Sequence, residues 1–151
     1  MSYFFRFESD QERSLAYIPM LVRMKLDTSG VKLSLAQWNR MPEAERRRLF
    51  ELPCDNKDQA SSYRELLCDL VLRYTGEPAR LLELPHEPAW NNVDAVPARL
   101  IHRSTDLGLV PPSLDQWRAL TAAQRFALLK LTRDGHESPN YLPALQEFAL
   151  V

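Results

Sequence analysis

Ser34-Leu35-Ala36-Gln37-Trp38 returns, seventy-nine residues later, as Ser113-Leu114-Asp115-Gln116-Trp117. Both stretches carry the same start signal for a helix: a serine whose oxygen accepts from the third backbone amide, and a glutamine that reaches back to the serine's own amide. Extended outward, residues 22–52 align with residues 101–131 without a gap, and Asp27/Asp106, Val31/Val110, Arg46/Arg125, Leu49/Leu128 and Leu52/Leu131 are identical pairs. A supersecondary unit written twice usually packs the apolar faces of its copies together. The match predicts two helix-pair units, at about 19–52 and 98–131.

Helical periodicity runs through most of the remaining chain. Tyr63, Leu66, Leu67, Leu70, Val71 and Tyr74 fall on one face of a helix over 56–74, which Thr75-Gly76 ends. Pro19 suits the first turn of a helix that runs to Ser29 and stops at Gly30. The short helix after Ser34 closes at Met41-Pro42, and that after Ser113 at Leu120-Thr121, where Thr121 and Gln124 form a further capping box. Pro78, Pro85, Pro88 and Pro97 make 77–97 an extended connection. A helix resumes near Asp94 and ends at Leu107-Gly108. A last helix starts at Ser138-Pro139-Asn140 and places Leu142, Leu145 and Phe148 on one face. No strand pair is evident; Phe4 to Phe7 is either an extended segment or an aromatic plug under the helices. The expected fold is all-α, a single domain over residues 1–151 with about eight short helices.

Composition narrows the function classes. With 151 residues, 45% of them hydrophobic, 26% charged and a net charge of −1, the chain is long enough for one continuous core. It has no global field to attract nucleic acid or an anionic membrane. No stretch approaches the ~20 apolar residues of a spanning helix, and the aromatic, acid-interrupted start is no signal peptide. The two cysteines, Cys54 and Cys68, make no disulfide framework, so a cytoplasmic protein with reduced thiols is expected.

Several groups invite a chemical role. Trp38 and Trp117 read as anchors of their helix pairs rather than as binding platforms. Arg40, Arg46, Arg47 and Arg48, with Arg118, Arg125, Lys130 and Arg133 in the second copy, suggest a helix-turn-helix reader of DNA. Interleaved Glu43, Glu45 and Glu51 make a solvated, ion-paired face the better reading. Cys54 follows Leu52-Pro53 in a loop and is the expected accessible thiol, whereas Cys68 borders an apolar stripe and reads as packing. The segment 133–140 gathers Arg133, Asp134, His136 and Glu137, the composition of a contact surface or of a helix-capping loop. Neither metal-ligand spacing nor a phosphate-cradling loop, nucleophile elbow or dinucleotide fingerprint is present, so no catalytic residue, metal or cofactor is assigned.

A resemblance to a known family adds what the chemistry does not. Ile18-Pro19-Met20, Val22-Arg23-Met24-Lys25-Leu26-Asp27 with Gly30, Leu52-Pro53-Cys54, Pro88-Ala89-Trp90, Gln124-Arg125-Phe126-Ala127-Leu128 and Gly135-His136-Glu137 with Leu142-Pro143-Ala144-Leu145 carry it. On these residues the chain resembles the conserved nitrate reductase-associated proteins, best known from cyanobacteria, over nearly its whole length. The resemblance implies an accessory role in nitrate assimilation, with assimilatory nitrate reductase as protein partner. That enzyme carries a molybdenum cofactor and an iron–sulfur cluster, so help with its assembly, cofactor loading or activity is the implied task. The family brings no established catalytic residues. Its Asp-Thr-Cys-Gly run reads Asp27-Thr28-Ser29-Gly30 here, which removes one thiol from any mechanism that would use it.

The expected contact surface joins the 133–140 loop, the 52–55 turn and the connection around Trp90, all outside the paired units. Two other readings remain open. One is a small metal- or cofactor-binding protein using Cys54 and His136; the other is a DNA-binding regulator, less favoured, so no nucleic acid or membrane partner is assigned. A monomer is favoured, because an internal repeat can supply the self-packing of a dimer.

Overall fold

The computed structural model describes residues 1–84, 86–133 and 138–151. Among them the chain forms nine α-helices, one 3-10 turn and one short strand pair. The all-α class therefore holds. The chain divides into two compact units, residues 1–85 and 86–151, with the boundary inside the proline-rich connection.

The first unit opens with an aromatic plug, not a strand. Phe5 is buried, and Phe4 stacks on Phe50 at 4.5 Å between ring centroids. A one-turn helix α1 (Asp10–Arg13) follows Ser9, whose amide bonds the Glu12 carboxylate at 3.0 Å. Helix α2 (Met20–Ser29) begins behind Pro19. No side chain of the cap residue serves its first amides; instead buried Glu8 accepts from Met20 N at 3.0 Å and from Phe5 N at 2.9 Å. Burial pushes the Glu8 carboxyl above its ordinary range against the pull of these amides.

Gly30 ends α2 with φ +75°, its amide bonded to Leu26 O at 2.9 Å. A Cβ here would approach the Leu84 side chain at 3.1 Å and Leu82 O at 3.2 Å, so both backbone and space select glycine. The chain then enters β1 (Val31–Lys32), which pairs antiparallel with β2 (Arg80–Leu81) in the register Val31↔Leu81 and Lys32↔Arg80. This pair corrects the expectation of no strands. Two residues per strand are too few to display an alternating pattern in sequence.

Helix α3 (Leu35–Arg40) carries the anticipated box: Gln37 N donates to Ser34 Oγ at 3.1 Å, and Ser34 N to Gln37 Oε1 at 3.0 Å. Pro42 precedes α4 (Glu43–Glu51). Asn56 then caps α5 (Lys57–Thr75), accepting from Gln59 N at 2.9 Å, and Gly76 closes it in the left-handed region. Helix α5 lies along α2, α3 and β1. Its stripe of Tyr63, Leu67, Leu70 and Val71 joins Trp38, Leu49, Val22 and Leu26 in the core of this unit.

The second unit opens with the 3-10 turn (Ala89–Asn91) and then α6 (Ala98–Asp106), which starts after Pro97 rather than near Asp94. Helix α7 (Leu114–Ala119) repeats the Ser–Gln box through Ser113 and Gln116, and α8 (Ala122–Leu131) is capped by Thr121 and Gln124. Helix α9 (Tyr141–Glu147) turns Tyr141, Ala144, Leu145 and Phe148 inward. Leu142, expected on that face, is exposed instead. The inward residues follow the i, i+3, i+4, i+7 spacing from Tyr141, one position earlier than the leucine count suggested. Tyr141 OH lies 2.7 Å from Ser104 Oγ and 3.3 Å from Leu100 O, tying α9 to α6.

Candidate functional site

Asp134, His136 and Glu137 lie outside the described residues. The other expected contact residues fall in different units: Cys54 in the first, Trp90 and Arg133 in the second.

Cys54 corrects the expectation of an accessible thiol. It is only 8% exposed, while Cys68 is the half-buried one. Leu52-Pro53 turns the chain at the end of α4 so that the sulfur faces Lys25 O at 3.9 Å. Burial pushes the thiol up to about 11 against the pull of the Lys25 ammonium. A thiol held protonated is a poor nucleophile. Loop membership was a misleading guide to exposure here.

Lys25 explains why this turn is so well held. Its Nζ donates to Phe50 O at 2.7 Å, Leu52 O at 2.6 Å and Ser2 Oγ at 3.0 Å. Two of these acceptors are carbonyls at the C-terminal end of α4, where a cation complements the helix dipole. Desolvation lowers the Lys25 pKa from its ordinary value. Beside the turn, a cavity of about 340 Å³ is lined by Arg48, Leu52, Pro53, Gln59, Tyr63 and Leu66 among others. Its floor is fixed by Tyr63, whose hydroxyl donates to Leu49 O at 2.7 Å. The 52–55 turn thus borders a recess, a feature its sequence does not announce.

In the second unit Trp90 sits half-buried on the 3-10 turn. Its ring meets Phe126 edge-on at 5.1 Å, while Arg125 Nε donates to Trp90 O at 2.6 Å. Among the described residues its indole N–H donates to nothing. Arg133 is exposed just beyond α8, its amide reaching Lys130 O at 3.4 Å. The arrangement offers a half-open tryptophan on a turn anchored by an arginine.

Trp38 and Trp117, by contrast, are fully buried anchors. Trp38 Nε1 donates to Leu15 O and Trp117 Nε1 to Asn92 O, each at 2.8 Å. Arg46 is a correction to the solvated face: Arg47 and Arg48 pair with Glu43 and Glu45, but Arg46 turns in to Leu15 O at 2.6 Å. Arg125 serves its loop in the same way. The signal was present, since Arg46/Arg125 is an identical pair within otherwise variable basic runs.

Among the described residues no group of three or more His, Cys, Asp or Glu side chains is placed to hold a metal ion, and no helix is long and apolar enough to cross a membrane. No curated protein and no solved structure gives a significant match. One family model does, that of the conserved nitrate reductase-associated proteins, over residues 4–148. With nearly its whole length matched, the chain belongs to the conserved nitrate reductase-associated protein family.

Proposed function

We propose that the protein is a non-catalytic, cytoplasmic accessory factor of nitrate assimilation that binds nitrate reductase and supports its assembly, cofactor loading or activity. The observation that carries this reading is the family match over residues 4–148. The absence of a recognisable catalytic motif in the sequence is compatible with it. The contact residues we assign are Trp90, with its open indole edge, and Arg133 together with Asp134, His136 and Glu137 of the segment that follows α8. A half-exposed tryptophan on a turn held by Arg125 is the kind of anchor that protein interfaces concentrate at their energetic centres. Cys54, buried in the first unit with its thiol pushed up to about 11, is not assigned to that surface.

The test is capture of partners on the tagged full-length chain from nitrate-grown cells, with identification by mass spectrometry. Nitrate reductase is the expected partner, and its absence from repeated captures removes the proposal. His136→Ala with Glu137→Ala should weaken capture while leaving the thermal midpoint close to that of the parent, and Trp90→Ala should weaken capture by more than its lost contact with Phe126 lowers the midpoint. Loss of folding in step with loss of capture would make those residues structural.

A further inference from the structure

Lys32 and Arg80 stand directly opposite each other across β1 and β2. Like charges facing one another in an antiparallel pair repel and weaken it. The first unit accepts that cost in its only strand pair among the described residues. A third cation, Arg40 in the last turn of α3, enters the same place. The three line a cleft of about 420 Å³ together with Gln37, Thr75 and Glu77. One carboxylate against three cations leaves a surplus of positive charge.

The rest of this unit shows how it treats cations elsewhere. Arg47, Arg48 and Arg73 each pair with a carboxylate, at 3.4, 3.6 and 4.0 Å. Lys25, Arg46 and Arg13 bond backbone carbonyls. Lys32, Arg40 and Arg80 are the three cations of this cleft and have neither kind of partner among the described residues, a state that Arg6, Lys57 and Arg64 share singly elsewhere in the unit. Gln37 contributes as well. Its Oε1 is occupied by Ser34 N, which leaves its NH2 group as a donor at the wall of the cleft.

We propose that this cleft binds a multivalent oxyanion, the phosphoryl group of a small phosphorylated molecule. Two arginine forks suit bidentate bonds to phosphoryl oxygens, and the lysine adds a point charge. The surplus charge matches a dianion, whereas nitrate or chloride would neutralise only part of it. The volume lies within the range of small-molecule pockets, which leaves room for an organic part beside the phosphoryl group. Bound there, the anion would relieve the Lys32–Arg80 repulsion and tighten the strand pair. This inference stands apart from the accessory reading: a missing ligand fails here alone, and a missing enzyme partner fails in the capture experiment alone.

The experiment is calorimetric titration of the full-length protein at low ionic strength with pyrophosphate, inorganic phosphate, adenosine diphosphate and sodium nitrate. Pyrophosphate is expected to bind saturably at one site, with nitrate about tenfold or more weaker. Adenosine diphosphate binding more tightly than pyrophosphate would identify an organic ligand; equal affinity would limit recognition to the phosphoryl groups. Arg40→Gln with Arg80→Gln should weaken pyrophosphate binding about tenfold or more, since each lost charge-assisted bond is worth that much. Arg47→Gln with Arg73→Gln removes the same charge elsewhere and should change binding less than about twofold. No saturable pyrophosphate binding, or an equal loss in both double variants, overturns the site. Arg80→Gln should hold or raise the thermal midpoint by relieving the cross-strand repulsion. Should it lower the midpoint, Arg40→Gln alone, outside the strand pair, carries the same test.

Discussion

Residues 20–52 and 98–131 use the same parts and finish them differently. Each has a Ser–Gln capped short helix, a fully buried tryptophan and an arginine that gathers the preceding loop. In the first region Trp38 and Arg46 converge on one carbonyl, that of Leu15; in the second, Trp117 takes Asn92 O while Arg125 takes Trp90 O. The outer faces diverge further. Val22 is 0% exposed and Val31 1%, whereas their sequence counterparts Ile101 and Val110 are 41% and 84% exposed. The first region has the nineteen-residue α5 laid along it, whereas among the described residues α8 of the second meets the 3-10 turn and the seven-residue α9. The same local code thus sets caps and anchors, while the elements that pack over each region decide which face becomes core.

The largest effect that would sharpen this comparison is at the tryptophans. Trp38→Ala and Trp117→Ala should each cost about 3–5 kcal/mol in denaturant unfolding. Trp38 should be the costlier, because its indole bond is buried and that of Trp117 only partly so. A larger loss at Trp117 would mean that burial does not rank the two anchors.

Next comes an alkaline sensitivity carried by the turn that follows the first region. Cys54 follows the first region, and its counterpart in the aligned sequence is Arg133. Between the thiol's ordinary value of 9.0 and its native value of about 11, the unfolded chain releases the proton and the native chain keeps it. Stability therefore falls as pH rises through this window, by on the order of 2–3 kcal/mol. Lys25, lowered by burial from 10.5, works in the opposite sense there and stabilises with rising pH. Cys54→Ala should flatten the fall in thermal midpoint between roughly pH 9 and 11. An unchanged slope in the variant would assign the sensitivity elsewhere.

The smallest effect separates the two arginines. Arg46→Ala leaves Leu15 O bonded to Trp38 and should cost about 1 kcal/mol; Arg125→Ala strips both Trp90 O and Leu120 O and should cost about 2. Hydrogen exchange should show the 88–92 turn loosened by the second change and the loop at Leu15 little altered by the first. Equal costs would show that sharing one carbonyl confers no redundancy.

Much of this was legible in sequence because it is local. Ser34/Gln37, Ser113/Gln116 and Thr121/Gln124 each specify a helix start within four residues, and Gly30 and Gly76 each specify a stop. What escaped depends on residues far apart along the chain. Lys32, Arg40 and Arg80 share a wall only because a strand pair of two residues on each side brings 31–32 beside 80–81. Cys54 and Arg46 were misread for one reason: loop residues and basic runs are usually exposed, and each here meets a backbone carbonyl from a distant segment, Lys25 O or Leu15 O. Such partners have no sequence signature.

Leu15, whose carbonyl serves both Trp38 and Arg46, has φ 65° and a fully buried side chain. The left-handed backbone costs an ordinary residue about 1–2 kcal/mol, and burying a leucine returns about 1.5–3. The two nearly cancel, so anyone redesigning this loop by turn statistics would be misled. Glycine or asparagine would satisfy the backbone and empty the core, whereas isoleucine or valine would fill the core and worsen the backbone. Selection at position 15 therefore acts on two incompatible demands at once, and an unbranched-β apolar residue is the narrow compromise that meets both.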